Sequence, residues 1–154
     1  MVLKNYKGDI ITGKPQLAKP EYGMIGNPDI PDYKTHKLYY ADDDGFDMTK
    51  IISGDNYKIK VTLPKDTIIL RYGTEFGHYT APDNTPYEQL ALPYKKNSIE
   101  FHKYRVIADN IKVECIVEKG YIAPCFGQPG GGIQYLHEKT IRKLLFDQVI
   151  ERLC

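Results

Sequence analysis

The chain has 154 residues, of which 42% are hydrophobic and 27% charged, and its formal net charge is +1. This length and composition fit one globular domain, and they lack the basic excess that binds a polyanion. We therefore expect no nucleic-acid partner. We also expect no membrane partner and no signal peptide, because no apolar stretch approaches 18 residues and lysines interrupt the first residues.

The first 37 residues favour irregular structure. They contain four prolines among many glycine, asparagine and aspartate residues, which discourages helices and strands. Apolar side chains such as Tyr22 and Tyr33 provide anchors. We predict that residues 1–37 form an irregular arm that packs on a domain formed by residues 38–154.

An acidic run follows the arm and contains Asp42, Asp43, Asp44, Gly45 and Asp47. Clustered carboxylates attract calcium, but this run lacks the later glutamate of an EF-hand loop. The sequence therefore favours a solvated acidic turn and predicts no metal site.

From residue 57 onward, short runs of β-branched and aromatic residues alternate with turn residues. The predicted strands are 59–63, 68–70, 77–81, 101–108, 111–117 and 119–123. One helix is predicted over 139–147, where Ile141, Leu144 and Leu145 recur at helical spacing. The predicted fold class is α+β, a β-rich single domain with a small mixed or antiparallel sheet and one C-terminal helix.

Arg71 ends one apolar run and precedes a loop rich in glycine and aromatic residues. Its guanidinium suits bidentate recognition of a phosphate or carboxylate, and an ion pair with Glu75 or another acidic residue is an equal alternative. The aromatic side chains of Tyr72, Phe76 and Tyr79 follow closely. Such rings either form core or stack on a planar ligand.

The segment 124–135 carries three consecutive glycines, 130–132, next to a proline. Glycine adopts positive φ and lets a ligand approach main-chain N–H groups. A tight turn or surface linker is the alternative, but the apolar flanks favour a buried loop. The spacing matches neither a Walker loop nor a dinucleotide fingerprint. We expect Gly131 and Gly132 to contact a ligand.

His102 and Tyr104 share one face of a predicted strand. A lone strand histidine is more often a packed, hydrogen-bonded residue than a catalyst. If the sheet brings Arg71, Tyr79, His102 and Gln134 together, they form a polar cluster. No nucleophile–histidine pattern or carboxylate pair stands out, which favours chemistry that needs no strong protein nucleophile.

The three cysteines are an odd number without metal-ligand spacing, so neither a zinc site nor a complete disulfide framework is indicated. We expect the cysteines to be free, buried thiols, and a disulfide bond between Cys115 and Cys125 is the alternative.

Several segments between Arg71 and Leu153 resemble the tuberculosis necrotizing toxin family, NAD⁺ glycohydrolase domains of bacterial toxins and fungal surface enzymes. The resemblance covers just over half of the chain and implies that family's fold, which is distantly similar to ADP-ribosyltransferases. The segments that carry it are Arg71-Tyr72-Gly73, Gly77-His78-Tyr79, Ala81-Pro82, Ala91-Leu92-Pro93, Tyr104-Arg105-Val106 and the stretch 120–135.

The resemblance implies cleavage of NAD⁺, with NADP⁺ as a second substrate left open, to nicotinamide and ADP-ribose without a cofactor. It also implies delivery into target cells as part of a toxin and a cognate immunity protein as partner. In this family Arg71 would hold the phosphates, Tyr79 would flank the nicotinamide, His102 would assist, and Gln134 would lie at the scissile ribose. Further substrate contacts are expected from Tyr72, Phe76, Gly131, Gly132 and Tyr104.

This chain departs from the family at one position. The family usually has an arginine immediately before the Ala-Leu-Pro segment, where this chain has Gln89-Leu90. Lys95, Lys96 or Lys103 could replace it as point charges, without the bidentate geometry of arginine. Two other functions stay open: cyclisation or transfer of ADP-ribose, and nucleotide binding without catalysis. Hydrolysis is preferred because no Glu-x-Glu lies near the site.

Overall fold

The computed structural model describes residues 43–92, 96, 99–109, 113–125 and 128–153. The predicted arm 1–37 lies outside these residues, so its division from 38–154 stays a prediction. Cys154 also lies outside them, whereas Cys115 and Cys125 are buried.

Within the described residues, seven strands form one sheet, and one helix packs against it. The strands are β1 (Lys58–Thr62), β2 (Ile68–Tyr72), β3 (Tyr79–Pro82), β4 (Phe101–Val106), β5 (Ile116–Tyr121), β6 (Ile133–His137) and β7 (Ile150–Arg152). The helix α1 spans Ile141–Phe146, and short 3₁₀ turns occur at Asp43–Gly45, Tyr87–Leu90 and Val113–Cys115. The strand order is β1-β5-β6-β3-β2-β4-β7, and every pair is antiparallel.

The predicted fold class, a β-rich α+β domain, is confirmed, and of the two alternatives left open for the sheet, mixed or antiparallel, the structure has the antiparallel one. The predicted helix is also present, and Thr140 caps it by accepting a hydrogen bond at Oγ1 from the backbone N–H of Lys143, at 3.1 Å. The strand predicted at 111–117 is wrong, because 113–115 form a 3₁₀ turn and β5 begins only at Ile116. Strands β6 and β7 were not predicted, since one follows the glycine run and the other has three residues.

One face of the sheet forms the main core and is called the helix face. It carries Ile69 of β2, Tyr104 of β4 and Tyr135 of β6, and α1 covers it with Ile141 and Leu144. Four of these side chains are at most 1% exposed and Tyr135 is 9% exposed. This burial supplies the main hydrophobic stabilisation of the domain.

The opposite face, called the cleft face, is covered by residues 43–47 of the acidic run. The ring of Phe46 is fully buried against Gly120 of β5, where a Cβ atom would lie 2.6 Å from Phe46 Cδ1. The backbone N–H of Asp47 donates to the Tyr121 carbonyl at 2.8 Å. The predicted solvated turn is therefore wrong for Asp47, which is only 2% exposed, because Phe46 draws the segment onto the sheet.

No helix within the described ranges has the length and apolar character needed to cross a membrane.

Candidate active site

A small cleft of about 50 Å³ opens on the cleft face, between the sheet and the turn Tyr87–Leu90. Its apolar lining consists of Leu70, Ala81, Leu90, Leu92 and Ile122. Its other lining residues are Arg71, Tyr72, Tyr79, Thr80 and Gln134. An apolar pocket with a few convergent polar groups is typical of a small-molecule site.

Gln134 on β6 is the buried polar side chain of this cleft. It is 9% exposed, and its Nε2 donates to the main-chain carbonyl of Asp44 at 2.9 Å. Because a carbonyl can only accept, the NH₂ end of the amide is the end held by the protein. The Oε1 atom is therefore the end that can accept a hydrogen bond from a ligand.

Tyr79 is the first residue of β3, and its side chain also contacts Asp44. Its hydroxyl donates to Asp44 Oδ1 at 3.3 Å. Burial and the negative charge of Asp44 raise the pKa of Tyr79 to about 12. The hydroxyl therefore stays protonated at neutral pH and serves as a donor.

Arg71 holds the loop between β2 and β3. Its Nε donates to the Thr74 carbonyl at 2.7 Å and its Nη1 to the Tyr79 carbonyl at 3.0 Å. Its Nη2 packs on Gly77, where a Cβ atom would lie only 2.0 Å away. These contacts fix the start of β3. They also occupy two of the guanidinium N–H donors that would otherwise bind a phosphate.

Glu75, the alternative ion-pair partner considered for Arg71, pairs with Arg152. The Glu75 carboxylate accepts from the hydroxyl of Tyr104 at 2.8 Å and from Nε of Arg152 at 2.9 Å. These hydrogen bonds lower the pKa of Glu75, with that from Arg152 contributing most.

His102 lies on the helix face. It stands opposite Arg71 in the β2–β4 register, and its ring centroid is 5.9 Å from that of Tyr104. Its Nε2 is 3.2 Å from Glu100 Oε2, without the alignment of a hydrogen bond. Paired residues of neighbouring strands point to the same face, so Arg71 and His102 share the helix face, whereas Tyr79 and Gln134 lie on the cleft face. The predicted cluster of these four residues is thus divided.

The predicted substrate contact of Tyr104 is also corrected. Its side chain is 0% exposed, and burial, followed by its hydrogen bond to Glu75, raises its pKa. A residue closed off from solvent cannot reach a ligand in the cleft. Tyr104 is a core residue with a satisfied hydroxyl.

Of the other predicted aromatic contacts, Tyr72 lines the cleft and Phe76 does not. The ring of Tyr72 packs edge-on against Tyr87, with centroids 4.8 Å apart. Phe76 is 66% exposed in the loop after β2, and the Arg142 guanidinium lies 5.4 Å from its centroid.

The glycine run 130–132 approaches the protein's own backbone. A Cβ atom on Gly130, whose φ is +64°, would lie 2.6 Å from the Ile122 carbonyl oxygen. The N–H groups donate to protein carbonyls: Gly130 to Glu88, Gly131 to Ile122 and Gly132 to Gln89. The expectation that Gly131 and Gly132 offer their N–H groups to a ligand is therefore corrected. The run packs the turn Tyr87–Leu90 against the sheet and leads into β6.

The contact between Asp44 and both Gln134 and Tyr79 was missed by sequence reasoning. Asp44 is 90 positions away from Gln134, and an acidic turn gives no indication of what it packs against. The one available signal was the large apolar residue Phe46 inside the run.

The family model for the tuberculosis necrotizing toxin matches residues 62–153, which is more than half of the chain. The chain belongs to the tuberculosis necrotizing toxin family. This membership confirms the resemblance carried by the segments around Arg71, Tyr79 and Gln134.

Two further similarities agree with membership in the toxin family. The conidial surface nicotinamide adenine dinucleotide glycohydrolase nadA of Aspergillus fumigatus is 33% identical over 94 residues, which cover 60% of this chain and 40% of that protein. The chain thus spans less than half the length of this curated relative. The structure of tuberculosis necrotizing toxin complexed with its immunity factor has a TM-score of 0.56 at 20% identity, covering 75% of this chain and 62% of that one, and it shows the same fold.

Leu90, where the resemblance leads us to expect an arginine, lines the cleft with an apolar side chain. Lys103 lies on the cleft face opposite Leu70 in the β2–β4 register, and its Nζ is 2.7 Å from Asp83 Oδ1. Lys96 is exposed and Lys95 lies outside the described residues. Of the two described lysines, Lys103 thus lies on the cleft face, where it pairs with Asp83, and it is not among the residues that line the cleft.

Proposed function

We propose that this domain hydrolyses NAD⁺ at the bond between nicotinamide and ribose, giving nicotinamide and ADP-ribose. The observation that carries the proposal is the Gln134 amide, which is nine-tenths buried, lines the cleft and has its NH₂ end held by Asp44. Family membership and the activity named for the Aspergillus relative support the same reaction.

In the proposed reaction, the carbon–nitrogen bond breaks and its electron pair stays on nicotinamide, which leaves as a neutral molecule. The ribose carbon develops oxocarbenium character, and a water oxygen then bonds to it and loses a proton. Gln134 Oε1 accepts from a ribose hydroxyl and fixes the sugar. This chemistry needs positioning and electrostatic stabilisation and no protein nucleophile.

The other cleft residues contribute orientation and exclusion of water. Tyr79 flanks the nicotinamide with its ring, and its hydroxyl is held by Asp44. Leu90 and Leu92 form an apolar wall that restricts the approach of bulk water. Arg71 contributes by fixing the carbonyl of Tyr79, and hence the start of β3.

We further propose that the domain acts after delivery into a target cell, where it depletes NAD⁺, and that a cognate immunity protein covers the cleft in the producing cell. The solved relative in complex with its immunity factor supports this partner. An inhibitor of this kind should compete with NAD⁺ for the cleft, which a titration of inhibitor against hydrolysis rate measures.

A second candidate is a nucleotide-binding module without catalysis. The apolar Leu90 inside the cleft favours it, because no arginine stands at this position to hold the phosphates in the geometry that the reaction needs. Nucleotide binding without nicotinamide release would select this function.

The test is incubation of the purified protein with NAD⁺ and, separately, NADP⁺, followed by chromatography of the products. Nicotinamide with ADP-ribose supports hydrolysis, whereas cyclic ADP-ribose or a modified protein shows that another acceptor replaces water. Gln134→Ala should remove turnover. Asn56→Ala, an amide truncation at an exposed residue before β1, is the matched control and should leave the rate unchanged.

A further inference from the structure

Asp44 contacts two of the polar residues that line the cleft, Gln134 and Tyr79, although it lies outside the segment 62–153 that matches the family. Its main-chain carbonyl accepts from Gln134 Nε2, and its carboxylate accepts from the Tyr79 hydroxyl. One residue therefore determines the orientation of two side chains that come from different strands.

The segment that carries Asp44 is anchored on both sides. On one side, Asp43 accepts from the hydroxyl of Tyr57 at 2.6 Å and from Lys58 Nζ at 3.2 Å. On the other, the buried ring of Phe46 occupies the space left by the missing side chain of Gly120. The position of Asp44 over the cleft face is thus fixed by packing and does not depend on its own side chain.

The backbone of Asp44 is left-handed, with φ 57° and ψ 22°. Asp and Asn tolerate this conformation better than other residues with a side chain, and glycine adopts it without strain. The conformation turns the carbonyl toward Gln134 while the carboxylate reaches Tyr79. Both contacts therefore arise from a single turn.

We propose that Asp44 is a positioning residue of the active site, which orients the Gln134 amide through its carbonyl and the Tyr79 hydroxyl through its carboxylate. This role rests on the proposed function, because it concerns the geometry in which NAD⁺ is cleaved. The carbonyl contact presents Gln134 Oε1 to the substrate, and the carboxylate contact fixes the ring beside the nicotinamide.

The left-handed backbone makes a clean set of variants possible. Asp44→Asn keeps a side-chain acceptor for Tyr79 and tolerates the same φ, so only the charge is lost. Asp44→Gly removes the acceptor without adding backbone strain, and it keeps the carbonyl that holds Gln134. Asp66→Gly is the matched control, because Asp66 is an exposed aspartate with φ 73° in the turn between β1 and β2.

We expect Asp44→Gly to lower kcat for nicotinamide release about 10-fold or more with KM changed less than about threefold, since misplacing a site group costs mainly turnover. Asp44→Asn should stay within about threefold of the wild-type protein, and Asp66→Gly should match it. In the Tyr79→Phe background, where the hydroxyl is already absent, Asp44→Gly should cost much less than it does alone.

Three results would overturn the proposal: wild-type kcat in Asp44→Gly, an equal loss in Asp44→Asn and Asp44→Gly, or full additivity with Tyr79→Phe. A wild-type protein that binds NAD⁺ but releases no nicotinamide contradicts the proposed function instead. In that case the role of Asp44 is decided on the free protein: loss of its carboxylate should lower the pKa of Tyr79 in a tyrosine absorbance titration, and an unchanged titration overturns the role.

Discussion

The two faces of the sheet carry similar polar and aromatic side chains, but these line a cleft on one face and are enclosed in the core on the other. On the cleft face, Gln134 and Tyr79 contact a turn from a distant part of the chain and line a cleft. On the helix face, Tyr104 and His137 are almost completely enclosed and make their polar contacts within the fold. The comparison shows that residue type does not identify a site residue, because one step along a strand transfers a side chain from cleft to core.

The helix face also contains a histidine, His137, whose pKa is lowered because the side chain is buried. His137 Nε2 lies 2.8 Å from Thr80 Oγ1, and burial, with smaller contributions from His78 and Arg71, lowers the pKa of His137 to about 4. Its Nδ1 has no hydrogen-bond partner in the part of the chain that the structure describes. A histidine held neutral in this way stabilises the fold and is not placed to exchange protons with a substrate.

The largest expected effect comes from Gln134→Glu, which tests the cleft face. A carboxylate cannot donate to the Asp44 carbonyl, so the two groups repel and the side chain turns away. We expect nicotinamide release to fall about 100-fold, a typical cost of losing a positioned site group. Far-UV circular dichroism should stay unchanged; an active variant would show that the orientation of the amide is unimportant.

The next effect concerns the helix face and depends on pH. The folded pKa of His137 lies below its ordinary value of 6.5, so the unfolded chain binds the proton more readily. The free energy of unfolding should therefore be fully retained above pH 6.5 and should fall as pH drops toward 4, by on the order of 2–3 kcal/mol. Urea titrations across this range measure the loss.

His137→Gln supplies the control for this pH dependence. Glutamine can still contact Thr80 but does not titrate, so the decline between pH 6.5 and 4 should flatten. The lowered pKa of Glu75 gives a separate loss at more acidic pH, below the ordinary value of 4.5, and it should persist in the variant. An undiminished slope between pH 6.5 and 4 would assign that dependence to other groups.

A smaller effect is expected from Tyr104→Phe, which removes one hydrogen bond from the buried side of Glu75. We expect a loss of about 1–3 kcal/mol in the free energy of unfolding, as for a hydrogen bond to a charged group. At a temperature where the variant is folded, kcat should change less than about threefold. A large loss of kcat with unchanged stability would instead place Tyr104 in the reaction.

The smallest effect is predicted for Leu90→Arg, which returns a cation to the cleft wall. The KM for NAD⁺ should fall about threefold at low ionic strength, and the difference should shrink as salt screens the new charge. Leu90→Met is the matched uncharged control and should leave KM unchanged. An equal KM in all three proteins would show that this wall lies away from the phosphates.

The sequence by itself determined the family, because motifs such as those around Tyr79 and Gln134 are local and survive in order along the chain. It also determined the helix, whose apolar period and Thr140 cap are short-range signals. The β-rich class followed from short strands separated by turn residues. Each of these properties depends on residues that are neighbours in the chain.

Only the tertiary structure decided which face each side chain occupies. Arg71 and His102 were grouped with Tyr79 and Gln134, yet strand register pairs Arg71 with His102 on the helix face. The Arg71 guanidinium donates to the carbonyls of Thr74 and Tyr79. The glycine run proved to accommodate the protein's own backbone. The contacts of Asp44 with Gln134 and Tyr79 could not be predicted from the sequence for the same physical reason. Register and long-range packing depend on side chains that are far apart in sequence, and a local pattern carries no information about them.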